Sequence, residues 1–241
     1  MTAIPLEIRS VAKSYNKTTV LSEIDLELNE NEFVGLVGVN GAGKTTLIKA
    51  ILDFISIDAG SIRIYGKPYR DTLSRQSLSF LPEKFLPPFY LTGRNFLSYM
   101  AELNRISLNE SEINDIFKVL DLSLSALNKP VRQYSKGMAQ KLGLASCLLS
   151  QRPIYLFDEP MSGLDPKARA YLKKHLLSLK EKGKTLFFST HLLTDVESLC
   201  DRIIILHEGR IRFNGSPAQC CETYDKSDLE DAYLECIGAH I

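Results

Sequence analysis

The sequence predicts an α/β protein, a mixed sheet with crossover helices and an inserted helical lobe. Three observations carry this. Short runs rich in valine, isoleucine and phenylalanine alternate with longer stretches of helical period. Between Pro82 and Pro153 the strand signal vanishes and helical segments take over. Near the carboxyl end, RIIIL at 202–206 and RIRFNG at 210–215 flank a short turn, which predicts an antiparallel hairpin.

The elements follow in order. Strands are expected at FVGLVG (33–38), SIRIY (61–65), SLSFL (77–81), IYLFD (154–158), TLFFS (185–189) and RIIIL (202–206). The turn HEG at 207–209 draws on Gly209 for a positive φ. NESEINDIFKVLDL at 109–122 predicts a helix of the lobe, and KLGLASCLLS at 141–150 another. In the tail, Ser227 stands three residues before Glu230, a capping-box spacing, and Leu229, Ala232, Tyr233 and Cys236 share one helix face. The expected division is a core at 1–82 and 152–241 with a helical subdomain at 83–151.

The 241 residues are 44% hydrophobic, enough for a sizeable core. Lysine plus arginine number 29 against 29 acidic residues, so the overall balance advertises no attraction to nucleic acid or to an anionic membrane. Cys147, Cys200, Cys220, Cys221 and Cys236 show neither CxxC spacing nor a disulfide framework, which favours a reducing compartment. No run approaches ~18 uncharged apolar residues, and no leader pattern opens the chain. A cytosolic chain that spans no membrane is expected.

GVNGAGKT at 38–45 fits G-x-x-x-x-G-K-[ST] between a strand and a helix, the context a P-loop demands. Backbone curling through Gly38, Val39, Asn40, Gly41, Ala42 and Gly43 aims N–H groups at phosphate oxygens at the positive end of a helix. Lys44 then reaches the β- and γ-phosphates, Thr45 is placed to ligate Mg²⁺, and Thr46 completes the binding turn. By itself the motif leaves kinase, GTPase and motor open.

IYLFDEP at 154–160 is an apolar strand ending in two carboxylates, which a buried strand rarely does without a charge partner. Asp158 fits a Mg²⁺ contact. Glu159, turned the other way by strand alternation, fits a general base for an attacking water. The pair beside a P-loop favours hydrolysis over mere binding. SGLDP at 162–166 follows with turn chemistry, and FFSTH at 187–191 places His191 just beyond a strand end, where open α/β sheets hold ligands; a structural histidine is the other reading.

The P-loop, YSKGMAQ at 134–140, FDEP, SGLDP and STH stand in an order and spacing that resemble the nucleotide-binding subunit of ATP-binding cassette (ABC) transporters, across nearly the entire chain. The resemblance implies a P-loop NTPase fold of ABC type: a RecA-like mixed sheet core, an antiparallel β part and an inserted helical subdomain. YSKGM resembles the family signature, whose usual form begins Leu-Ser-Gly-Gly; Ser135 and Gly137 match it, while Tyr134 and Lys136 depart. In the family, two subunits face head to tail and the signature of one completes the phosphate site of the other, around ATP and Mg²⁺. A second helix start would add N–H donors to the γ-phosphate.

By the same resemblance, Tyr15 stacks on adenine, Asp165 communicates across the dimer, and His191 contacts the γ-phosphate and positions water. Glu83 stands where many members carry a metal-contacting glutamine, and a glutamate there resembles the export-type subfamilies. The partners implied are a homodimeric or heterodimeric second subunit and a membrane permease docked near Phe85, Phe89 and Tyr90, with the chain peripheral on the cytoplasmic face of the membrane. No nucleic-acid partner is expected; a soluble ABC-type ATPase acting on nucleic acid or ribosomes is the alternative.

Overall fold

A computed structural model describes residues 4–239; the predicted core's ends, at 1–3 and 240–241, lie outside them. The chain opens with two strands, β1 (Leu6–Tyr15) and β2 (Thr18–Leu28), followed by β3 (Phe33–Val37) and helix α1 (Lys44–Ile51). β4 (Ala59–Ile64), β5 (Lys67–Pro68) and β6 (Leu78–Leu81) lead into α2 (Gly93–Asn104), α3 (Glu110–Val119) and α4 (Lys136–Leu149). Then come β7 (Ile154–Asp158), α5 (Pro166–Glu181), β8 (Thr185–Thr190), α6 (Leu193–Leu199), β9 (Arg202–His207), β10 (Arg210–Gly215), α7 (Pro217–Tyr224) and α8 (Leu229–Cys236).

Two sheets form. One is antiparallel, in the order β2-β1-β4-β5; the other runs β10-β9-β3-β8-β7-β6, parallel from β9 to β6 with β10 antiparallel at its edge. The parallel strands are buried on both faces, so their side chains divide by period two. Val34, Leu36, Leu156, Phe187 and Leu206 enter the core shared with α1 and the antiparallel sheet. Phe33, Tyr155, Phe157, Phe188 and Ile205 enter the core shared with the helices of the other side.

All six strands read from the sequence are present, each within two residues of its expected bounds. The turn of β9 and β10 has Glu208 at φ 48° and Gly209 at φ 72°, two left-handed residues in succession, as a tight hairpin requires. A Cβ on Gly209 would also meet the Val20 carbonyl oxygen at 2.5 Å.

Three expectations need correction. The hairpin of β1 and β2 went unread. Its turn, Asn16 and Lys17 at φ 46° and 73°, carries no glycine, and register shifts between Ile8 and Ser14 break the simple alternation. Ser227 does not cap the last helix: Asp228 does, its carboxylate accepting the Asp231 N–H at 2.9 Å. The capping box lies one helix earlier, where Ser216 Oγ accepts the Gln219 N–H at 3.1 Å and Gln219 Oε1 accepts the Ser216 N–H at 2.8 Å. The helix expected at 109–122 stops at Val119, after an Asn109 cap.

Phe187 is fully buried in the middle of β8, whereas Phe54 is 63% exposed. Phe187→Ala should lower the unfolding free energy by about 3–5 kcal/mol, read from urea denaturation; a loss no larger than that of Phe54→Ala would contradict this packing.

Candidate active site

Because β3, β7 and β8 run parallel, their carboxyl ends open on one edge, the edge at which open α/β sheets bind ligands. β3 ends at Val37 and passes into the P-loop. Gly43 caps α1 at φ 109° and ψ 2°, a left-handed conformation that costs glycine least. Lys44 folds back over the loop, its Nζ donating to the carbonyls of Gly38 at 2.7 Å and Val39 at 3.2 Å. Burial pulls the Lys44 pKa down, opposed by the negative charges of Glu159, Asp158 and Glu83.

β7 ends at Asp158, which is 3% exposed and paired in register with Ser189 of β8. The Ser189 hydroxyl donates to Asp158 Oδ1 at 2.5 Å, and the same Oγ accepts the Glu159 N–H at 2.9 Å. Glu159 then takes φ 51°, a strained value for a non-glycine residue. Its carboxylate meets His191 Nδ1 at 2.9 Å, in the loop just after β8.

These groups face one cleft of about 610 Å³. The P-loop side gives Asn40, Gly41, Gly43, Lys44, Thr45 and Thr46. The rest of the lining comes from Glu83, Asp158, Glu159, Ser162 and His191, together with Tyr15 and Val20. Tyr15 is 45% exposed rather than a core aromatic, and Lys13 Nζ lies 5.2 Å from its ring centre. Gly38, Val39 and Ala42 support the loop without lining the cleft: Ala42 is buried and its carbonyl accepts the Gly209 N–H at 3.2 Å.

Ser135, Gly137 and Asp165 stand outside the cleft. Exposed Ser135 caps α4, its Oγ accepting the Met138 N–H at 3.2 Å. Gly137 lies so near the SGLD loop that a Cβ would sit 3.1 Å from the Gly163 carbonyl oxygen, an intrachain reason for a glycine early in this helix. Asp165 caps α5, accepting the Ala168 N–H at 2.9 Å, and pairs with Lys141 Nζ at 3.0 Å. Phe85 is a packing residue, not an exposed anchor: it stacks edge-to-face on Phe96 at 5.6 Å. Leu86, Phe89 and Tyr90, 89%, 67% and 71% exposed, carry the apolar surface of that loop instead.

Sequence reasoning missed Ser189, Ser162 and Val20. Ser189 had a signal, a small polar residue within the apolar run TLFFS; Ser162 sat inside a recognised turn, and Val20 carried none.

The cleft fits a triphosphate with Mg²⁺. Thr45, Asp158 and Glu83 offer the oxygen donors a hard cation takes, while the P-loop offers N–H groups and a lysine. Among the described residues no group of three or more His, Cys, Asp or Glu is placed to hold a metal.

Fold and cleft together define a P-loop NTPase of the ABC type. The family model for ABC transporters matches residues 21–162, and the chain belongs to that family. It is 41% identical over 207 residues to an uncharacterized ABC transporter ATP-binding protein of Synechocystis sp., covering 84% of this chain and 58% of that protein; the chain thus spans less than two thirds of this relative. With the Nod factor export ATP-binding protein I of Burkholderia orbicola it shares 32% identity over 97% of this chain and 78% of the other. A solved ATP-binding subunit of an ABC transporter superposes with a TM-score of 0.88 at 30% identity, over 96% of this chain and 98% of that one.

Glu83→Gln should keep ATP binding while shifting the Mg²⁺ dependence of hydrolysis, since a carboxylate binds Mg²⁺ more strongly than an amide carbonyl. Superimposable Mg²⁺ titrations of the two proteins would remove Glu83 from the metal.

The Ala168 N–H and Lys141 hold the Asp165 carboxyl down at about 2. Its folded value lies below the unfolded one of about 3.9, so its stabilisation is complete above that value and is lost as pH falls through about 2. From pH ~4 to pH ~2 the native chain should therefore lose stability that Asp165→Asn never had. Urea midpoints that fall in parallel for the two proteins would refute this.

Proposed function

We propose that this chain is the ATP-binding and ATP-hydrolysing subunit of an ABC transporter, which pairs head to tail with a second such subunit around two MgATP and drives a separate membrane permease. The observation that carries the reading is the meeting of Lys44, Glu159 and His191 in one cleft, with the Ser135 helix start exposed outside it. Two such chains, opposed, would bring each exposed helix start to the other's cleft.

In this reading the loop at 38–45 binds the phosphates through its N–H groups, and Lys44 supplies charge to the β- and γ-phosphates. Thr45, Asp158 and Glu83 would hold Mg²⁺, which would supply positive charge to offset that of the phosphates. Glu159 takes the proton of the attacking water as its oxygen bonds to the γ-phosphorus and the bond from that phosphorus to the β–γ bridging oxygen breaks, releasing ADP and phosphate, and His191 orients that carboxylate and the water. Tyr15 stacks on the base, while Asp165 lies at the subunit boundary. Residues 83–151 act as a helical lobe on a core of 1–82 and 152–241. Leu86, Phe89 and Tyr90 are the docking surface for the permease, since exposed aromatics anchor interfaces.

No helix of the described residues is long and apolar enough to cross a membrane, which suits a subunit held at the cytoplasmic face by its permease. Glu83 and the likeness to a Nod factor export protein support export over import.

Glu159→Gln should lower the hydrolysis rate at least a hundredfold and accumulate an ATP-bound dimer in size-exclusion chromatography with MgATP. Turnover at the native rate would remove Glu159 from the role of base. Stimulation of the native chain by ribosomes or nucleic acid, with no polytopic membrane protein copurifying, would move the reading to a soluble ABC-type ATPase.

A further inference from the structure

Tyr134 stands immediately before the Ser135 cap, and its hydroxyl donates to the Ala126 carbonyl at 2.6 Å. The ring is half-buried, and burial raises the phenol's pKa, so the group remains a proton donor at neutral pH. Across from it lies Gly93, the first residue of α2. A Cβ there would fall 2.2 Å from the Tyr134 hydroxyl, 3.2 Å from the Ala126 oxygen and 3.3 Å from Leu127 Cα. The hydroxyl therefore keeps its seat only while position 93 lacks a side chain. A leucine at 134 could fill much of the space but could donate nothing.

The backbone around this contact leads straight to the exposed aromatic loop. Arg132 N–H donates to the Phe89 carbonyl at 3.1 Å, Val131 N–H to Leu91 at 2.8 Å, and Gly93 N–H to Lys129 at 3.3 Å. Thr92 and Pro130 form an antiparallel bridge within the same ladder. Residues 129–131 thus pair with 91–93, Arg132 reaches Phe89 after a one-residue shift, and the short 3₁₀ turn Val131–Gln133 leads directly into Tyr134 and Ser135. Phe89 and Tyr90 pack edge-to-face on each other at 5.6 Å, so the loop's exposed tip is braced rather than loose.

We infer that Tyr134 and Gly93 form a latch, which with the main-chain ladder fixes the α4 start at Ser135 and Gly137 to the aromatic loop carrying Phe89 and Tyr90. Tyr134 is a positioning residue: it lies outside the cleft and acts by setting where Ser135 is presented. A partner that displaces the loop moves the helix start with it. The inference rests on the reading that this helix start completes the phosphate site of a second copy.

The test uses Glu159→Gln as parent and measures both its MgATP-driven dimerisation, by analytical ultracentrifugation, and ATP binding by the monomer. Tyr134→Phe removes only the donor and should weaken dimerisation about fivefold to tenfold, the effect of one neutral hydrogen bond, with the monomer's ATP affinity unchanged. Tyr134→Leu should behave alike. Gly93→Ala should weaken dimerisation at least as much, and less than additively once Tyr134→Phe has removed the clashing hydroxyl. Unchanged dimerisation of Tyr134→Phe, or losses at 93 and 134 that simply add, overturn the latch alone. A parent that never dimerises, with its permease present or absent, overturns the shared-site reading and the latch with it.

Discussion

The hydrogen bond from Ser189 to Asp158 is the point from which the site's geometry follows. At 2.5 Å it ties the ends of two parallel strands, and it gives a nearly inaccessible carboxylate a donor. A buried carboxylate without one would be costly, by about 1–3 kcal/mol or more. The serine works in both directions, since its oxygen also accepts the Glu159 N–H. That second bond helps hold Glu159 in its left-handed conformation, and the left-handed turn brings its carboxylate to His191. Strain at one residue is thus held by a strand pairing that the whole sheet enforces.

Charge balance in the cleft explains why nucleotide and cation belong together in the proposed reaction. Glu83, Asp158 and Glu159 face a single lysine there, Lys44, whose ammonium is weakened by burial and restored in part by those same carboxylates. A triphosphate brought in bare would face this excess of negative charge at short range in a site of reduced dielectric. In the proposed reaction Thr45, Asp158 and Glu83 would hold the cation, and its charge would offset that excess.

The parallel sheet was legible because burial on both faces yields continuous apolar runs, and IYLFD, TLFFS and RIIIL are such runs. β1 and β2 were not, because each keeps polar residues on its outer face and crosses irregularities at Ser10 and Glu23, both at positive φ. The P-loop and the acidic pair were readable because phosphate chemistry fixes residue type at fixed spacing. Ser189 was harder to read, since its role depends on a register between strands about thirty residues apart. Phe85 shows the same limit from the other side: an aromatic in a proline-rich loop reads as exposed until Phe96 is seen packed on it.

The proposed shared site is compatible in charge with how two helices begin. α1 opens at Lys44 and α4 at Lys136, and neither has an acidic residue in its first turn. A lysine at the positive end of a helix adds like charge to like, and Asp or Glu would be the stabilising choice. α3 and α8 make that choice, with Glu110 and Glu112 in one and Glu230 and Asp231 in the other, whereas α2, α5 and α7 also lack an acidic first turn. The arrangement is favourable at α1 once phosphate supplies the missing negative charge. At α4 the start lies outside this chain's own cleft, and the exposed Ser135 hydroxyl caps it by accepting the Met138 N–H. In the proposed dimer, the triphosphate held by the second subunit would supply the negative charge that the first turn of α4 lacks.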